Sequence, residues 1–519
     1  MKSLHLLVVF GLAILKTDGL KVLTIAPFSS KSHFAIANAI SKTLHKAGHN
    51  ITMLSPFPLK KPLQNHTDIS VAKTMAALEE EDDMNIFDFR SVPMVAMLPF
   101  MYYMMHTLVD SVMVDDEVTK FMESKEKYDV CIVEVFNMDA IMGIADHVDC
   151  VIISFATFGA VKWVDDMTSN QSPNSYVTNP FLRYTDRMAF SERLVNTVSN
   201  IFESIAFEFF HKPLQRSLYK KHFPNAKRSF DEIYKSSAIY FMNTHVSSAF
   251  ARPYLPHMID IGGIHVEPAQ PLPEDIKAFL DASDEGAIVF SMGSNIQATD
   301  WPVEMREIFV KTFGKLKQKV LWKYENDTLA GKTDNVMISK WLPQRDVIAH
   351  PNVKLFITHG GLLGTTEALI EGLPVLGIPI FGDQKMNMAK AVTRGYGLQL
   401  YYDEITIDSL FNSIQELISN QKYRHNAQEI SKRFVDRPMT PQETVTYWVE
   451  YAVRHNGALH LRAAGNDLNF IAFHSIDTYG VLFVAAVIYL YGVYLVLGCL
   501  FGKCCGKKNA KKSKKLKEK

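Results

Sequence analysis

Cysteine is scarce in this sequence, and so are the residue patterns that hold metal ions. Five cysteines in 519 residues are too few for a disulfide framework, and no two of them form the CxxC pairs of a zinc or redox site. The chain also contains no Asp-x-Asp pair. We therefore expect no metal site.

Excess positive charge is missing from the body of the chain. The formal net charge is zero, but residues 502–519 hold nine Lys and one Glu, a balance of +8, which leaves −8 for the other 501 residues. An acidic body argues against a nucleic acid partner. A length of 519 residues exceeds what one hydrophobic core supports, so we expect two domains.

The cysteines fall into two groups. Cys131 and Cys150 lie in apolar runs in the body of the chain. This setting favours buried thiols, with a disulfide as the alternative in an oxidising compartment. Cys499, Cys504 and Cys505 lie beside the Lys-rich end, where acylation is an open alternative.

Both ends of the chain carry patterns typical of a membrane-anchored protein. Residues 1–19 hold Lys2, an apolar run and small residues suited to cleavage, which predicts a secretory signal peptide. Residues 479–501 form an uncharged apolar run that is long enough to cross a bilayer. The cationic tail at 502–519 favours the cytoplasmic side, so a single span predicts a lumenal body.

Two further patterns favour the endoplasmic reticulum. Lys515 and Lys517 resemble a dilysine retrieval signal. Sequons of the Asn-x-Ser/Thr type, compatible with a lumenal fold, occur at Asn50, Asn65, Asn170 and Asn326. We therefore predict a single-pass type I protein of the endoplasmic reticulum membrane.

His33 lies at the junction of the first predicted strand and the first predicted helix. Residues 22–26 are predicted to form a buried strand, and an amphipathic helix follows a polar loop and ends at Gly48. A later strand at 128–133 brings Glu134 to its carboxyl end. On its own, a His at a helix start is more often a capping or surface residue.

The stretch at 341–384 has the densest pattern in the chain. A short apolar strand at 354–358 breaks into a Gly-rich turn and a helix start, and a second apolar run follows at 374–379. Glycines let the backbone approach a ligand, and the free N–H groups of a helix start face phosphate. An ordinary strand-to-helix turn is the alternative for any one residue here.

The same stretch offers groups for each part of a nucleotide sugar. A helix that begins near Gly364 would place Glu367 in its first turn, where a carboxylate suits the hydroxyls of a ribose. Trp341 offers a flat face for a base. Asp383 and Gln384 offer polar groups for a sugar.

Strands and helices alternate beyond a Pro-rich linker at 267–273, which predicts a parallel, doubly wound sheet. We expect one domain at 20–266 and a second at 274–475 that includes the closing helices. Ser291, Gly293 and Ser294 belong to a second short loop at a carboxyl edge, after a strand at 287–291.

The ordered residues of the dense stretch resemble the signature of the UDP-glycosyltransferases, a family that contains UDP-glucuronosyltransferases and plant glucosyltransferases. Phrases at 179–181, 185–188 and 261–264 look most like insect members. The matching signature residues are Trp341, Gln344, His359, Gly361, Thr365, Glu367, Asp383 and Gln384.

The resemblance implies the glycosyltransferase B fold, an α/β fold in which two Rossmann-like domains face each other across a cleft. It implies no cofactor, because the UDP-sugar is a co-substrate. Helix N-terminal amides and His359 would meet the diphosphate charge. The candidate substrate-binding residues are then Ser291, Gly293, Ser294, Trp341, Gln344, His359, Gly361, Gly364, Thr365, Glu367, Asp383 and Gln384.

The family places its catalytic base after the first strand, which is the position of His33. A base needs a carboxylate that holds its tautomer, and Glu134 is the candidate. Family members commonly have an Asp there, so Glu134 is one methylene longer. Asp139 is the competing residue.

The implied activity is the inverting transfer of a hexose from a UDP-sugar to a hydroxyl of a small lipophilic acceptor. Glucose is favoured over glucuronic acid, since glucuronosyl-transferring relatives have an Arg where this chain has Asn243, although His245 or Arg252 could replace it. UDP-glucuronic acid as the donor, and a lumenal binding protein with little turnover, are the alternatives. A homo-oligomer is also left open.

Methionine and aromatic residues are interleaved at 94–109. Such side chains adapt to irregular apolar ligands, so the segment could line an acceptor pocket. Packing in the core of a helix is the plainer alternative.

Overall fold

The computed structural model describes residues 19–81, 90, 92–294 and 296–516, with the backbone alone at 81, 94, 95 and 502–516. The chain divides at Arg462 into a large unit and a short C-terminal unit. The predicted signal peptide lies outside the described residues except for Gly19, as do Lys517 and the side chains of Cys504, Cys505 and Lys515.

The first sheet of the large unit is entirely parallel. Its strands run in the order β3-β2-β1-β4-β5-β6-β7. Helices cover both faces, so several strands are buried along their whole length. The strands are β1 (Lys21–Ile25), β2 (Asn50–Ser55), β3 (His66–Ser70), β4 (Val130–Glu134), β5 (Val151–Ala156), β6 (Ile239–Met242) and β7 (Met258–Asp260).

The second sheet repeats this plan, as the alternation of strands and helices predicted. Its strands are also parallel and run in the order β10-β9-β8-β11-β12-β13. They are β8 (Ala287–Ser291), β9 (Lys319–Lys323), β10 (Val336–Ser339), β11 (Val353–Thr358), β12 (Val375–Gly377) and β13 (Gly397–Gln399).

The helices pack on the sheets through apolar faces. In the first helix, for example, Ile36, Ile40 and Leu44 are fully buried at helical spacing. The helices of the first half are α1 (Lys31–Lys46), α2 (Ala72–Glu81), α3 (Met94–Met113), α4 (Asp116–Glu123), α5 (Gly143–Val148), α6 (Lys162–Thr168), α7 (Phe190–Ala206), α8 (Lys212–His222) and α9 (Phe230–Tyr234). Those of the second half are α10 (Glu274–Asp281), α11 (Val303–Phe313), α12 (Gln344–Ile348), α13 (Leu362–Ile370), α14 (Gln384–Thr393), α15 (Ile407–Ser419), α16 (Gln421–Val435) and α17 (Pro441–Arg454).

The register of neighbouring strands aligns the carboxyl ends that carry candidate site residues. In the first sheet Ile25 pairs with Val133, and Glu134 pairs with Phe155. In the second sheet Ser291 pairs with Thr358. Strand order reverses at β1 and again at β8. Open parallel sheets bind ligands at such switch points.

Helix α17 crosses back to the first sheet. Val445, Val449 and Ala452 are fully buried in the core that α1 and β5 share. Their spacing places them on one helix face. The sequence grouped these residues with the second domain, whereas in the fold they complete the core of the first.

Cys131 and Cys150 form a disulfide bond, so the expectation of buried free thiols is wrong. Cys131 lies on β4 and Cys150 directly precedes the neighbouring strand β5. This strand pairing brings their Cα atoms to 5.8 Å, within the usual range for a bridge. Apolar surroundings alone could not reveal that the two strands are adjacent.

The methionine- and aromatic-rich segment forms helix α3. Leu98, Tyr102, Met105 and Val109 are buried in the hydrophobic core of the first half. The plainer alternative, core packing, therefore accounts for these side chains.

The C-terminal unit consists of the short helix α18 (Phe470–Phe473) and the long helix α19 (Ile476–Leu516). Ile476–Phe501 is a largely apolar stretch of 26 residues. By length and composition it fits a membrane span, in agreement with the span predicted at 479–501.

Candidate active site

His33 lies in the first turn of α1 and is 8% exposed. Its Nδ1 atom is 2.5 Å from Oε1 of Glu134 and 3.3 Å from the hydroxyl of Thr157. Glu134 ends β4 and Thr157 follows β5, so the parallel sheet itself assembles this trio. The Nε2 atom of His33 makes no hydrogen bond within the described part of the chain.

Of the two candidate carboxylates, it is Glu134 that contacts His33. Asp139 is committed elsewhere, because its Oδ2 atom lies 2.7 Å from Nε2 of His211 and both side chains are buried. Glu134 is 2% exposed, and its second oxygen has no hydrogen-bond partner in the described residues. The extra methylene therefore does not prevent the pairing.

Three phenylalanines surround the imidazole of His33. The ring centroids of Phe28, Phe136 and Phe158 lie 4.8, 4.6 and 5.8 Å from it. Each of them follows a strand of the same sheet edge. The sequence analysis missed them, although an aromatic residue shortly after β1, β4 and β5 is a visible signal.

The Gly-rich turn of the second half encloses His359. A Cβ atom at Gly293 would lie 2.6 Å from Cε1 of His359, and one at Gly361 would lie 2.4 Å from its Nε2. Gly361 is also the N-cap of α13. The two glycines therefore let the imidazole sit between two loops, beside free helix N–H groups that suit an anion.

His359 is a neutral imidazole in this state. Burial, with a smaller effect of the nearby Lys323, lowers its pKa to about 4. His359 can therefore meet a diphosphate as a hydrogen-bond donor. The role of His359 in holding the diphosphate stays a prediction.

Glu367 lies in the second turn of α13, not the first, because the helix begins at Leu362 rather than near Gly364. Its Oε2 atom accepts a hydrogen bond of 2.7 Å from the amide of Gln344. Burial raises the pKa of Glu367 to about 7. Gly364 faces the same amide, since a Cβ atom there would lie 3.2 Å from Nε2 of Gln344.

Trp341 stands apart from the other signature residues. Its side chain is 65% exposed, and the ammonium group of Lys31 lies 5.8 Å from its ring centroid. Lys31 begins α1, so the first half of the fold reaches toward the indole at this point. The exposed face leaves room for a planar base.

Asp383 is a second signature residue on the side of the first half. The Nδ2 atom of Asn387 donates to its Oδ2 at 2.8 Å. Burial raises the pKa of Asp383, and His33 is near enough to lower it in turn. The side chain of Gln384 is committed to its own loop, because its Oε1 atom accepts from the backbone N–H groups of Ile380 and Phe381.

The remaining candidates have local structural partners. The hydroxyl of Thr365 donates to the backbone oxygens of Gly361 and Leu362. The hydroxyl of Ser291 accepts from the backbone N–H of Gly293 at 3.3 Å, and Ser294 is exposed. These residues shape the two loops, and the exposed Ser294 lies at their edge.

A cavity is lined by residues of both halves. Asp383 and Thr365 line it from the second half, and Phe158, Asn243, His245 and Arg252 line it from the first. Lys390 on α14 also lines this cavity and was not predicted from the sequence. Burial lowers the pKa of Lys390 to about 8, although Asp383 raises it.

Comparisons with known proteins agree with this geometry. Residues 21–512 match the family model described as UDP-glucoronosyl and UDP-glucosyl transferase. Two proteins of the insect Dactylopius coccus are similar over nearly their whole length. UDP-glycosyltransferase UGT5 is 34% identical over 95% of this chain and 96% of its own, and UDP-glucosyltransferase 2 is 31% identical over 99% of both.

A solved structure, that of glycosyltransferase VinC in complex with DTDP, has a TM-score of 0.56 at 17% identity and covers 84% of this chain and 100% of VinC. That likeness and the two parallel sheets establish the glycosyltransferase B fold. The family model covers nearly the whole chain, so the protein belongs to the UDP-glucuronosyl and UDP-glucosyl transferase family and is a UDP-glycosyltransferase.

Proposed function

We propose that this enzyme transfers glucose from UDP-glucose to a hydroxyl of a small lipophilic acceptor with inversion at the anomeric carbon. His33 removes the proton of the acceptor hydroxyl through Nε2. That oxygen forms the new bond to the anomeric carbon, and the bond to UDP breaks with UDP as the leaving group. The work of the enzyme is alignment, general base catalysis and stabilisation of the leaving charge.

The His33–Glu134 pair is the observation that carries this proposal. Nδ1 is held at 2.5 Å by a buried carboxylate, which fixes the tautomer that leaves Nε2 able to accept a proton. Phe28, Phe136 and Phe158 enclose the imidazole, and such surfaces suit an apolar acceptor. Asp383, in the opposite half, is near enough for the charge of His33 to affect its pKa, and the sugar would lie between the two residues.

The second half supports donor binding with one group for each part of the donor. Glu367 would accept hydrogen bonds from the ribose, and the exposed face of Trp341 would stack on the base. The N–H groups at the start of α13 and the neutral His359 would hold the diphosphate. Asp383 would contact hydroxyls of the sugar.

Glucose is proposed because the cavity offers a sugar carboxylate few free cations. Asn243 is uncharged and donates to the backbone oxygen of Thr157. Burial lowers the pKa of His245 to about 4, so His245 is neutral. Arg252 is engaged by both carboxylate oxygens of Asp165 at 2.8 and 2.6 Å.

Lys390 is the specific observation that favours UDP-glucuronic acid as a second candidate donor. It lines the cavity and stays mostly protonated at neutral pH with a pKa of about 8. Asp383 is the carboxylate that interacts with it. A glucuronate would therefore have to compete with Asp383 for this ammonium group.

A competition assay tests the donor. Equal concentrations of UDP-glucose and UDP-glucuronic acid are supplied with one phenolic acceptor, and the products are separated by mass. We expect mainly glucoside from the parent and from Lys390→Met, the uncharged matched variant. A mainly glucuronidated product that disappears in Lys390→Met would overturn the choice of glucose and identify Lys390 as the cation.

We also propose that the protein is held in the endoplasmic reticulum membrane with its enzymatic unit in the lumen. The apolar stretch Ile476–Phe501 and the Lys-rich tail after it support this orientation. A membrane location suits a lipophilic acceptor, which partitions into lipid.

A further inference from the structure

The loop that follows β5 carries two of the groups that contact His33. The hydroxyl of Thr157 lies 3.3 Å from Nδ1 of the imidazole, and the ring centroid of Phe158 lies 5.8 Å from that of His33. Loops move unless their backbone groups have partners. The position of both groups beside His33 therefore depends on what holds this loop.

Asn243, directly after the neighbouring strand β6, holds the loop at three consecutive carbonyl oxygens. Its backbone N–H donates to the oxygens of Ala156 at 3.2 Å and Phe158 at 2.9 Å, and its side-chain Nδ2 donates to the oxygen of Thr157 at 2.9 Å. Strands β5 and β6 are paired up to Ala156 and Met242. The bonds of Asn243 therefore extend the order of the sheet into the loop.

The side-chain bond is the one that fixes Thr157. A backbone N–H at the end of β6 is supplied by any residue except proline, but the donor to the oxygen of Thr157 is the carboxamide of Asn243. Both residues are buried, and a buried carbonyl oxygen without a donor is costly. Loss of the carboxamide would favour another conformation of Thr157, which would move its hydroxyl away from His33.

We propose that Asn243 is a positioning residue for the general base and acts on His33 through Thr157 and Phe158. Glu134 and the hydroxyl of Thr157 both lie at Nδ1 of His33, and the ring of Phe158 packs against the imidazole edge to face. An imidazole held on these sides presents Nε2 to the acceptor in a fixed direction. This inference rests on the proposed role of His33 as the base.

Direct contact with the sugar is the alternative role of Asn243, because Asn243 also lines the cavity. The two roles predict different kinetics. A contact with the bound sugar contributes to the affinity for UDP-glucose, whereas alignment of a base changes the chemical step. Misalignment has large effects on rate, since a displacement of about 1 Å costs about 10²-fold.

Kinetics of the full chain in phospholipid nanodiscs separate these roles. Asn243→Leu keeps the branched shape of the side chain and removes its donor, and Thr157→Val removes the hydroxyl. We expect kcat to fall by about 10–10²-fold in Asn243→Leu and by about two- to tenfold in Thr157→Val. The dissociation constant of UDP-glucose, measured by calorimetry, should stay that of the parent in both. Asn243→Ala is the second variant if Asn243→Leu does not fold.

The same substitutions are then made in His33→Ala. They should lower the residual transfer no further, because the imidazole through which they act is absent. A purely structural role of Asn243 would reduce transfer by the same factor with and without His33.

Asn335→Leu is the matched control. Its side-chain amide likewise donates to three backbone oxygens, those of Phe313, Leu316 and Gln318, at a site that does not line the cavity. Asn335→Leu should unfold at a lower urea concentration than the parent and keep the kcat of the parent.

A parent kcat in Asn243→Leu would overturn the inference, and a weaker affinity for UDP-glucose in that variant would assign Asn243 to the sugar. A loss of kcat that persists undiminished in His33→Ala would overturn it as well. If His33→Ala alone has lost most of its transfer, these results leave the proposed function standing. Transfer at the parent rate in His33→Ala would overturn both.

Discussion

At the scale of single residues, the site depends on how each side chain is held before any substrate arrives. His33 has one nitrogen fixed by Glu134 and a hydroxyl beside it. His359 is enclosed by two glycines and stays neutral. Glu367 is held by Gln344 and has a pKa near neutrality. Each arrangement predicts a distinct response to substitution.

In the proposed mechanism Glu134 acts through His33 as a positioning residue. In Glu134→Gln the hydrogen bond can persist, but the charge that stabilises the imidazolium is lost. We expect kcat to fall by about 10²–10⁴-fold with the KM for UDP-glucose nearly unchanged. Steady-state kinetics over a series of donor concentrations measure both.

Asp139→Asn is the matched control for Glu134→Gln. Asp139 bonds His211 in the buried interior, so the substitution should lower stability while kcat per folded molecule stays near that of the parent. A loss of kcat in Asp139→Asn equal to that in Glu134→Gln would contradict the division between the two carboxylates.

Glu367 predicts a pH dependence of donor binding. With a free-state pKa of about 7, the carboxyl group is neutral below that pH, and a carboxylate is the better acceptor for two ribose hydroxyls. Affinity for UDP-glucose should therefore fall as the pH drops, by about tenfold for each pH unit well below 7. Calorimetry from pH 5.5 to 8.5 measures it.

The isosteric variant Glu367→Gln isolates this effect. It cannot ionise, so its affinity should be weaker and flat over the same range. UDP-glucose is used rather than UDP because its diphosphate has no proton to lose there. The same slope in the parent and in Glu367→Gln would show that another group controls binding.

At the scale of elements, the disulfide bond joins β4 to the entry of β5 and so supports the strand that ends at Glu134. Its loop of 19 residues in sequence predicts that removal costs about 3 kcal/mol. We expect the double variant Cys131→Ala, Cys150→Ala to unfold at a lower urea concentration. Cys499→Ser, which removes the exposed free thiol, is the control. An unchanged midpoint in the double variant would contradict a stabilising role.

Several strands of both sheets could be predicted from the sequence, because parallel strands buried on both faces are short apolar runs. The strand predicted at 287–291 has the observed bounds, and those predicted at 22–26, 128–133 and 354–358 shift by one or two residues. Helix starts were less certain. Gly364 suggested the start of α13, but Gly361 supplies the N-cap, which moves Glu367 one turn further.

Contacts between elements distant in sequence were not predictable from local patterns. The pairing of β4 with β5, which makes the disulfide, depends on strand order. The burial of Asn196 on α7 becomes visible only when its side chain meets the segment before the helix. Asp139 contacts His211, and Arg252 contacts Asp165. No spacing in the sequence indicates either pair.

At the scale of the whole molecule, the two halves are joined by more than a linker. Helix α17 returns to the first sheet, and Arg394 of the second half bonds the backbone oxygens of Ser247 and Ala249 in the first. Arg437 adds a bond of 3.1 Å to the backbone oxygen of Gly262. These contacts position His33 opposite Asp383.

The lumenal orientation predicts which sequons carry glycans. Asn65 and Asn326 are exposed, so both should be modified in the lumen. Asn170 is 7% exposed and its amide donates to Asp165 and to the backbone of Pro253, so it should not. Mobility shifts after endoglycosidase treatment of Asn65→Gln, Asn326→Gln and Asn170→Gln measure this. A parent protein without any glycan would contradict the orientation.

The most direct test of the proposed mechanism is the transfer rate of His33→Ala measured together with its affinity for UDP-glucose. In the proposed mechanism the base lies in the half that does not hold the donor, so the two quantities should separate. We expect transfer to fall by about 10²–10⁴-fold while the dissociation constant of UDP-glucose stays that of the parent. Transfer close to the parent rate, or equal losses of transfer and donor affinity, would contradict the assignment of His33 as the general base.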